Sequence, residues 1–236
     1  MTDSVDHQPV PTEVRPRIWR WTAPHPEWRN VGVPWTWEVA SFALADSESL
    51  VLVDPLLPAA DDAAQEVLTR LDALAASATE IAIFVTIPYH VRSSEQLLER
   101  YAPSQRVTLH AHPAAANRLR RGTRLADITR GDPLPAGAIA FRIGKPVRFE
   151  TPVYFPGHRA LAFGDAVVGV DGGLRVWASI GDAKRARWYE ERFLPTLEPL
   201  ADLDIESVLV THGLPVLEDG RRHLERAFAN APWHYR

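Results

Sequence analysis

The sequence predicts an α/β protein, and three observations carry that prediction. Between residues 50 and 120, strand-like and helix-like segments alternate, as they do in crossover units on a largely parallel sheet. The apolar run 81–86 has the continuous character of a strand buried on both faces. After residue 138 the chain breaks into short apolar runs separated by close turns, a pattern that suits an antiparallel sheet.

The elements follow in order. Residues 1–16 hold three prolines and no apolar periodicity, so they read as a flexible tail. The next stretch carries Trp19, Trp21, Trp28, Trp35 and Trp37 interleaved with Pro24, Pro26 and Pro34. Its prolines exclude a helix and leave an irregular or short-strand segment. The rings either cap the core or form an aromatic wall beside a pocket or partner. Strands are expected at 38–45 and 50–53 around the turn Asp46-Ser47-Glu48-Ser49, with Asp54-Pro55 stopping the second. Helical spacing of Ala64, Val67, Leu68, Leu71 and Leu74 marks a helix over 61–76, opened by Asp61 and Asp62. A helix over 93–101, a strand over 106–111 and a short helix over 113–120 complete the first half. The second half predicts strands at 138–143, 147–149, 153–155, 161–163 and 167–170. A long helix over 182–200, a strand over 207–210 and a helix over 218–230 follow. No linker interrupts residues 17–236, which read as a single domain.

Composition narrows the chemistry. The chain has 236 residues, nine histidines and no cysteine. Disulfides, thiol nucleophiles, iron–sulfur clusters and cysteine-type zinc sites are excluded, and any transition metal needs His, Asp or Glu. A net charge of −4 argues against a nucleic-acid footprint. No apolar run reaches the roughly 20 residues a bilayer requires. The N-terminus lacks an apolar signal region, so a cytoplasmic, soluble protein is the expectation. Gly-x-Ser-x-Gly, Gly-Lys-Ser/Thr and Gly-x-Gly-x-x-Gly motifs are absent.

Sites in parallel sheets gather past the carboxyl ends of strands. That rule selects Asp54, the loop from Thr86 to Ser94, Pro156-Gly157-His158 with Gly164-Asp165, and Thr211-His212-Gly213. In this order the segments resemble the metallo-β-lactamase superfamily over nearly the whole chain after the tryptophan-rich stretch. The resemblance implies a four-layer αβ/βα sandwich and one or two metals that activate water for hydrolysis. It also implies His158, Asp165 and His212 as metal ligands and Asp54 as a supporting acid.

The chain departs from the family at Thr-His-x-His-x-Asp-His. Alignment on Thr86 puts Ile87, Tyr89, Val91 and Arg92 at the four functional positions, with His90 one residue out of register. Two readings follow. In the first, the metal site is reduced or lost, and Arg92 replaces the metal as counter-charge by a bidentate pair with Asp54 or Asp165. In the second, His158, Asp165 and His212, with or without His90, hold a single Zn, Mn or Fe ion, and Asp54 or His90 orients the water or accepts the proton, for hydrolysis of an ester, thioester or amide. A third reading is an interaction module built on the tryptophan segment. A small-molecule ligand is compatible with each. The pair His110 and His112 reads as polar residues closing a strand. Arg118, Arg120, Arg121 and Arg124 read as a solvated helix end.

Overall fold

The computed structural model describes residues 7–26, 37–144, 149–170 and 172–233. The first sheet runs in sequence order through β1 (Thr12–Arg15), β2 (Ile18–Pro24), β3 (Glu38–Ala45), β4 (Ser49–Val53), β5 (Glu80–Val85), β6 (Arg106–Ala111) and β7 (Ala126–Asp127). Its first four strands pair antiparallel, and β4 to β7 pair parallel. The later strands are β8 (Ile139–Ala140), β9 (Val153–Phe155), β10 (Ala160–Phe163), β11 (Val167–Val170), β12 (Gly173–Val176) and β13 (Ser207–Val210). A second sheet has the order β13-β10-β9-β8, with β10 and β13 parallel, while β11 and β12 form a separate hairpin.

The helices are α1 (Asp61–Ala75), α2 (Ser94–Tyr101), α3 (Ala183–Trp188), α4 (Leu194–Leu197) and α5 (Gly220–Ala229). Strand alternation sorts most of the apolar side chains into three large cores. Leu50, Leu52, Ile81, Ile83 and Val85 face Val67, Leu68 and Leu71 of α1 and Leu97 of α2. Their neighbours Val51, Val53, Ala82 and Phe84 turn the other way and meet Phe155, Ala160, Ala162 and Leu209 of the second sheet. Leu161, Phe163, Val208 and Val210 point outward against Phe193, Leu197, Leu224 and Phe228. The result is the four-layer helix–sheet–sheet–helix sandwich. Among the described residues, no helix is long and apolar enough to cross a membrane.

Three expectations change. Residues 12–15, read as tail, form β1, because Arg17 (φ 67°) turns the chain back and pairs Thr12 with Arg20. The tryptophan segment is partly a full strand, β2. Trp21 is buried in the outer core and donates its indole N–H to the Leu56 carbonyl at 2.7 Å, which fits the capping role. Trp19 is half-buried, Trp37 is exposed, and Trp28 and Trp35 lie outside the described residues.

The helix expected over 182–200 is broken. Asp182 caps its start by accepting from the Arg185 amide at 2.8 Å, and a π-turn over Tyr189–Phe193 then precedes α4 and a 3-10 turn over Glu198–Asp202. Pro195 and Pro199 lack the N–H an uninterrupted ladder needs. The strand expected over 147–149 has two residues outside the described set, and Phe149 joins no strand.

Candidate functional site

The carboxyl ends of β4, β5, β10 and β13 meet at one pole of the seam between the sheets. Asp54 follows β4 with φ 47°, a left-handed conformation that Asp tolerates better than most residues. That turn aims its carboxylate sideways across β5. Oδ1 accepts from the Thr86 amide at 2.8 Å, and Oδ2 accepts from the Thr86 hydroxyl and meets His90 Nδ1 at 2.9 Å. The Asp54 carbonyl accepts from Ser41 Oγ at 2.9 Å and from Arg92 Nη1 at 3.1 Å. Every oxygen of this buried residue is thereby engaged.

His90 reaches the site through a local device. The chain leaves β5 into a 3-10 turn over Pro88–Val91, opened by proline. Pro88 and His90 of that turn, and Ile87 just before it, are buried while Tyr89 stands 63% exposed. Alignment on Thr86 left His90 one residue out of register; the tight turn directs it inward. Ser93, at the start of the next helix, makes no side-chain cap and instead accepts from the Leu57 amide at 2.9 Å.

Opposite His90, β10 delivers Asp165 and β13 delivers His212. Asp165 Oδ1 lies 3.3 Å from His90 Nε2 and 3.4 Å from His212 Nε2. These distances are at the long end of hydrogen bonding, and Oδ1 is buried without a well-formed hydrogen bond. One ligand atom from each of His90, Asp165 and His212 lies within 4.8 Å of the others.

Glu150, which sequence reasoning missed, fixes the Asp165 loop. One oxygen of its buried carboxylate accepts from the Gly164 and Ala166 amides, both at 3.0 Å, on either side of Asp165. Its neighbour Thr151 donates its amide to the Thr86 carbonyl at 2.7 Å. The His212 loop is held by backbone contact. Gly169 donates to the His212 carbonyl at 2.8 Å. A Cβ on Gly213 (φ 80°) would sit 1.8 Å from the Gly169 carbonyl oxygen, and one on Gly169 would sit 2.2 Å from that of Leu214. Both positions require glycine.

The charges divide unevenly. For His90, burial and the Arg92 cation favour the neutral imidazole, but Asp54 and Asp165 together outweigh them and raise its pKa. Burial dominates at His212 and lowers its pKa despite Asp165. Asp165 is held well below the ordinary carboxylate value: burial works against ionisation, and the two imidazoles overcome it. Burial also lowers Arg92, against the pull of Asp54 and Asp165. The guanidinium makes no bidentate carboxylate pair; it meets Asp54 through the main-chain carbonyl, and its Nη2 is buried without a hydrogen-bond partner.

His158 stands elsewhere. It closes the turn between β9 and β10, and its Nε2 lies 3.4 Å from Asp46 Oδ1. Because β9 and β10 are antiparallel, the turn joining them lies at the opposite pole from Asp165. In the three-residue group its place is taken by His90, which the alignment on Thr86 had left one position out of register. Neither His110 nor His112 joins the group. His110 stacks on Phe84 with Nε2 2.9 Å from Thr108 Oγ1, and His112 caps the following turn by accepting from the Ala114 amide at 3.1 Å.

No protein-family model matches the chain, and no curated protein matches it. Solved structures do. A metallo-β-lactamase from Pontibacter korlensis is 14% identical with a TM-score of 0.60, over 94% of this chain and 99% of that one. One from Erythrobacter litoralis is 14% identical with a TM-score of 0.56, over 92% and 89% of the two chains. A β-lactamase domain protein from Burkholderia ambifaria is 17% identical with a TM-score of 0.60, over 97% and 74%. The chain has the metallo-β-lactamase fold.

Proposed function

We propose that this chain is a metallo-β-lactamase-fold protein with a reduced, single-ion site, in which His90, Asp165 and His212 hold one divalent Zn, Mn or Fe ion for hydrolysis of an ester, thioester or amide. The carrying observation is the triangle of ligand atoms about the poorly bonded Asp165 Oδ1. A tetrahedral ion with ligands at about 2.0–2.1 Å separates those ligands by about 3.3 Å. The contacts of 3.3 and 3.4 Å agree with that spacing.

The surrounding residues fit the role. Asp54 Oδ2 takes the Nδ1–H of a neutral His90, which directs the Nε2 lone pair toward the triangle. Asp165 stays ionised across the physiological range and supplies the anionic ligand. A bound divalent ion contributes a water of lowered pKa and polarises the carbonyl under attack. With Val91 and Arg92 at positions where the family carries an acid and a histidine, the described residues offer no second group of three ligands beside the first. Arg92 adds a fixed positive charge that opposes a second ion.

The burial of Arg92 beside Asp54 also favours a second reading, a metal-free polar network with the guanidinium as counter-charge. Metal content separates the two. Tag-free protein equilibrated with Zn²⁺, Mn²⁺ and Fe²⁺ in turn, then desalted, is expected to retain about one equivalent of at least one ion. His212→Ala is expected to lose it. Retention below about 0.1 equivalent of every ion rejects the single-ion site in favour of the network.

A further inference from the structure

A cavity of about 890 Å³ lies on the outer side of the first sheet, between α2, β6 and the loop that leads into β7. None of its lining residues belongs to the strand-end group. Its floor is apolar, made by Leu98, Ala102, Leu109 and Leu125, and the three leucines are rooted in the outer core. Along one side runs an unpaired strand edge. β7 pairs only with His110 and Ala111, so β6 has no strand beside Arg106–Leu109 on that side. The Ala111 carbonyl faces β7, accepting from the Ile128 amide at 3.1 Å. Main-chain groups alternate along a strand, so Val107 and Leu109 turn theirs the same way, toward the cavity they line. Edge groups of this kind are a template for another strand.

The other side of the cavity is basic. Residues 113–125 hold four arginines and no acid, in a chain whose net charge is −4. The structure divides the four. Arg118 lies over the Tyr89 ring, 4.0 Å from its centroid, and Arg120 pairs with Glu95 and Glu99. Arg121 and Arg124 line the cavity, exposed, with no ion pair among the described residues. Their loop is fixed in place. Glu95 Oε1 accepts from the Arg120 amide at 3.0 Å and from the Thr123 hydroxyl, and Gly122 turns the chain at φ 98°.

We propose that this cavity binds an extended acidic peptide, which adds to β6 as a strand beside Val107. The peptide's main chain meets the Val107 amide and carbonyl, its alternate apolar side chains rest on Leu98 and Leu125, and its carboxylates reach Arg121 and Arg124. The strand edge decides the class of ligand. An acyl chain or an isolated anion would cover the floor or meet the arginines, but it would leave the main chain of Val107 without partners. The proposal stands apart from the metal question, since no residue of the strand-end group takes part.

The probe is the peptide acetyl-Val-Glu-Val-Glu-Val-amide, titrated calorimetrically into the full-length protein. Saturable one-to-one binding is expected, and the counterpart with lysine at both acidic positions is expected to bind at least about tenfold more weakly. In a strand only alternate amides face the partner. Two further peptides use this, one N-methylated at both glutamates and the other at the two valines that follow them. One is expected to keep the parent affinity within about threefold and the other to lose at least about fivefold. The double variant Arg121→Gln, Arg124→Gln is expected to weaken the parent peptide about fivefold. Ala102→Glu, which sets a like charge in the floor, is expected to weaken it to a similar degree. All three positions are exposed, so thermal melts matching wild type will show the variants folded. Lack of saturation, equal binding of the lysine peptide, methylated peptides that behave alike, or wild-type affinity in either folded variant overturns the proposal.

Discussion

The two poles of the inter-sheet seam each bury a histidine against an aspartate, and the outcomes differ. At the Asp54 pole, His90 lies between two carboxylates and its pKa rises. At the other pole, burial lowers the pKa of His158 despite Asp46, which is partly exposed and shares its charge with Arg17. The pole receiving the strand ends of both sheets gathers groups from four loops, each fixed by a backbone hydrogen bond or a buried acceptor. The pole with the return turns has pairs that close on themselves, such as Arg159 with Asp204 and Glu206. A buried histidine beside an acid therefore says little alone. Convergence of several held groups makes a site.

That contrast can be broken in four ways. The largest effect is expected from Asp54→Ala, which removes the acceptor from the Thr86 amide, the Thr86 hydroxyl and His90 in a buried setting. It is expected to lower unfolding free energy in urea by about 3–5 kcal/mol. Asp54→Asn, which keeps one acceptor oxygen and suits the positive φ, is expected to lose less. Equal, small losses for both would show that this carboxylate is not the organising group.

Another buried histidine, His110, tests the electrostatic side, since burial alone lowers its pKa to about 4. Between about pH 6.5 and 4 the unfolded chain binds the proton that folded His110 refuses, so stability falls as pH falls. From pH 7 to pH 5 the loss attributable to this group is about 2 kcal/mol. Urea midpoints of wild type and His110→Phe are expected to diverge by that amount at pH 5 relative to pH 7. Parallel pH profiles would show that His110 protonates freely in the folded protein.

His158→Asn is expected to leave metal retention unchanged and to cost less than about 1 kcal/mol in stability. Loss of metal in this variant would return His158 to the ligand set. Least of all, Arg159→Gln is expected to leave the urea midpoint where it was, because its ion pairs are exposed to solvent.

Much of the architecture was legible. The strands Glu38–Ala45, Arg106–Ala111, Val153–Phe155, Val167–Val170 and Ser207–Val210 fall where apolar runs between turn residues put them. What was lost had physical causes. Proline and tryptophan density hid β2, because the prolines flank the strand or end it instead of interrupting it. The helix over 182–200 carries a good apolar pattern but two prolines that the pattern ignores.

At the site, Asp54, Asp165 and His212 follow from the strand-end rule. His158 does not: two consecutive antiparallel strands end at opposite poles, so the turn after β9 and the loop after β10 cannot share a site. The same logic directs attention to residues just before β9, where Glu150 lies. His90 needed the 3-10 turn, which Pro88 foreshadows but register counting does not.

The close packing of the Gly169 strand against the Gly213–Leu214 loop bears on redesign of this scaffold. The Gly169 backbone occupies the space a side chain on Gly213 would need, and the Leu214 backbone the space a side chain on Gly169 would need, so neither glycine can be replaced without moving the other segment. A graft that replaces the loop bearing His212 must bring the β11 hairpin with it. Libraries aimed at new substrates should leave this joint unmutated and spend their diversity on Tyr89 and Phe149, exposed neighbours in sequence of His90 and Glu150 that bear no part of the frame.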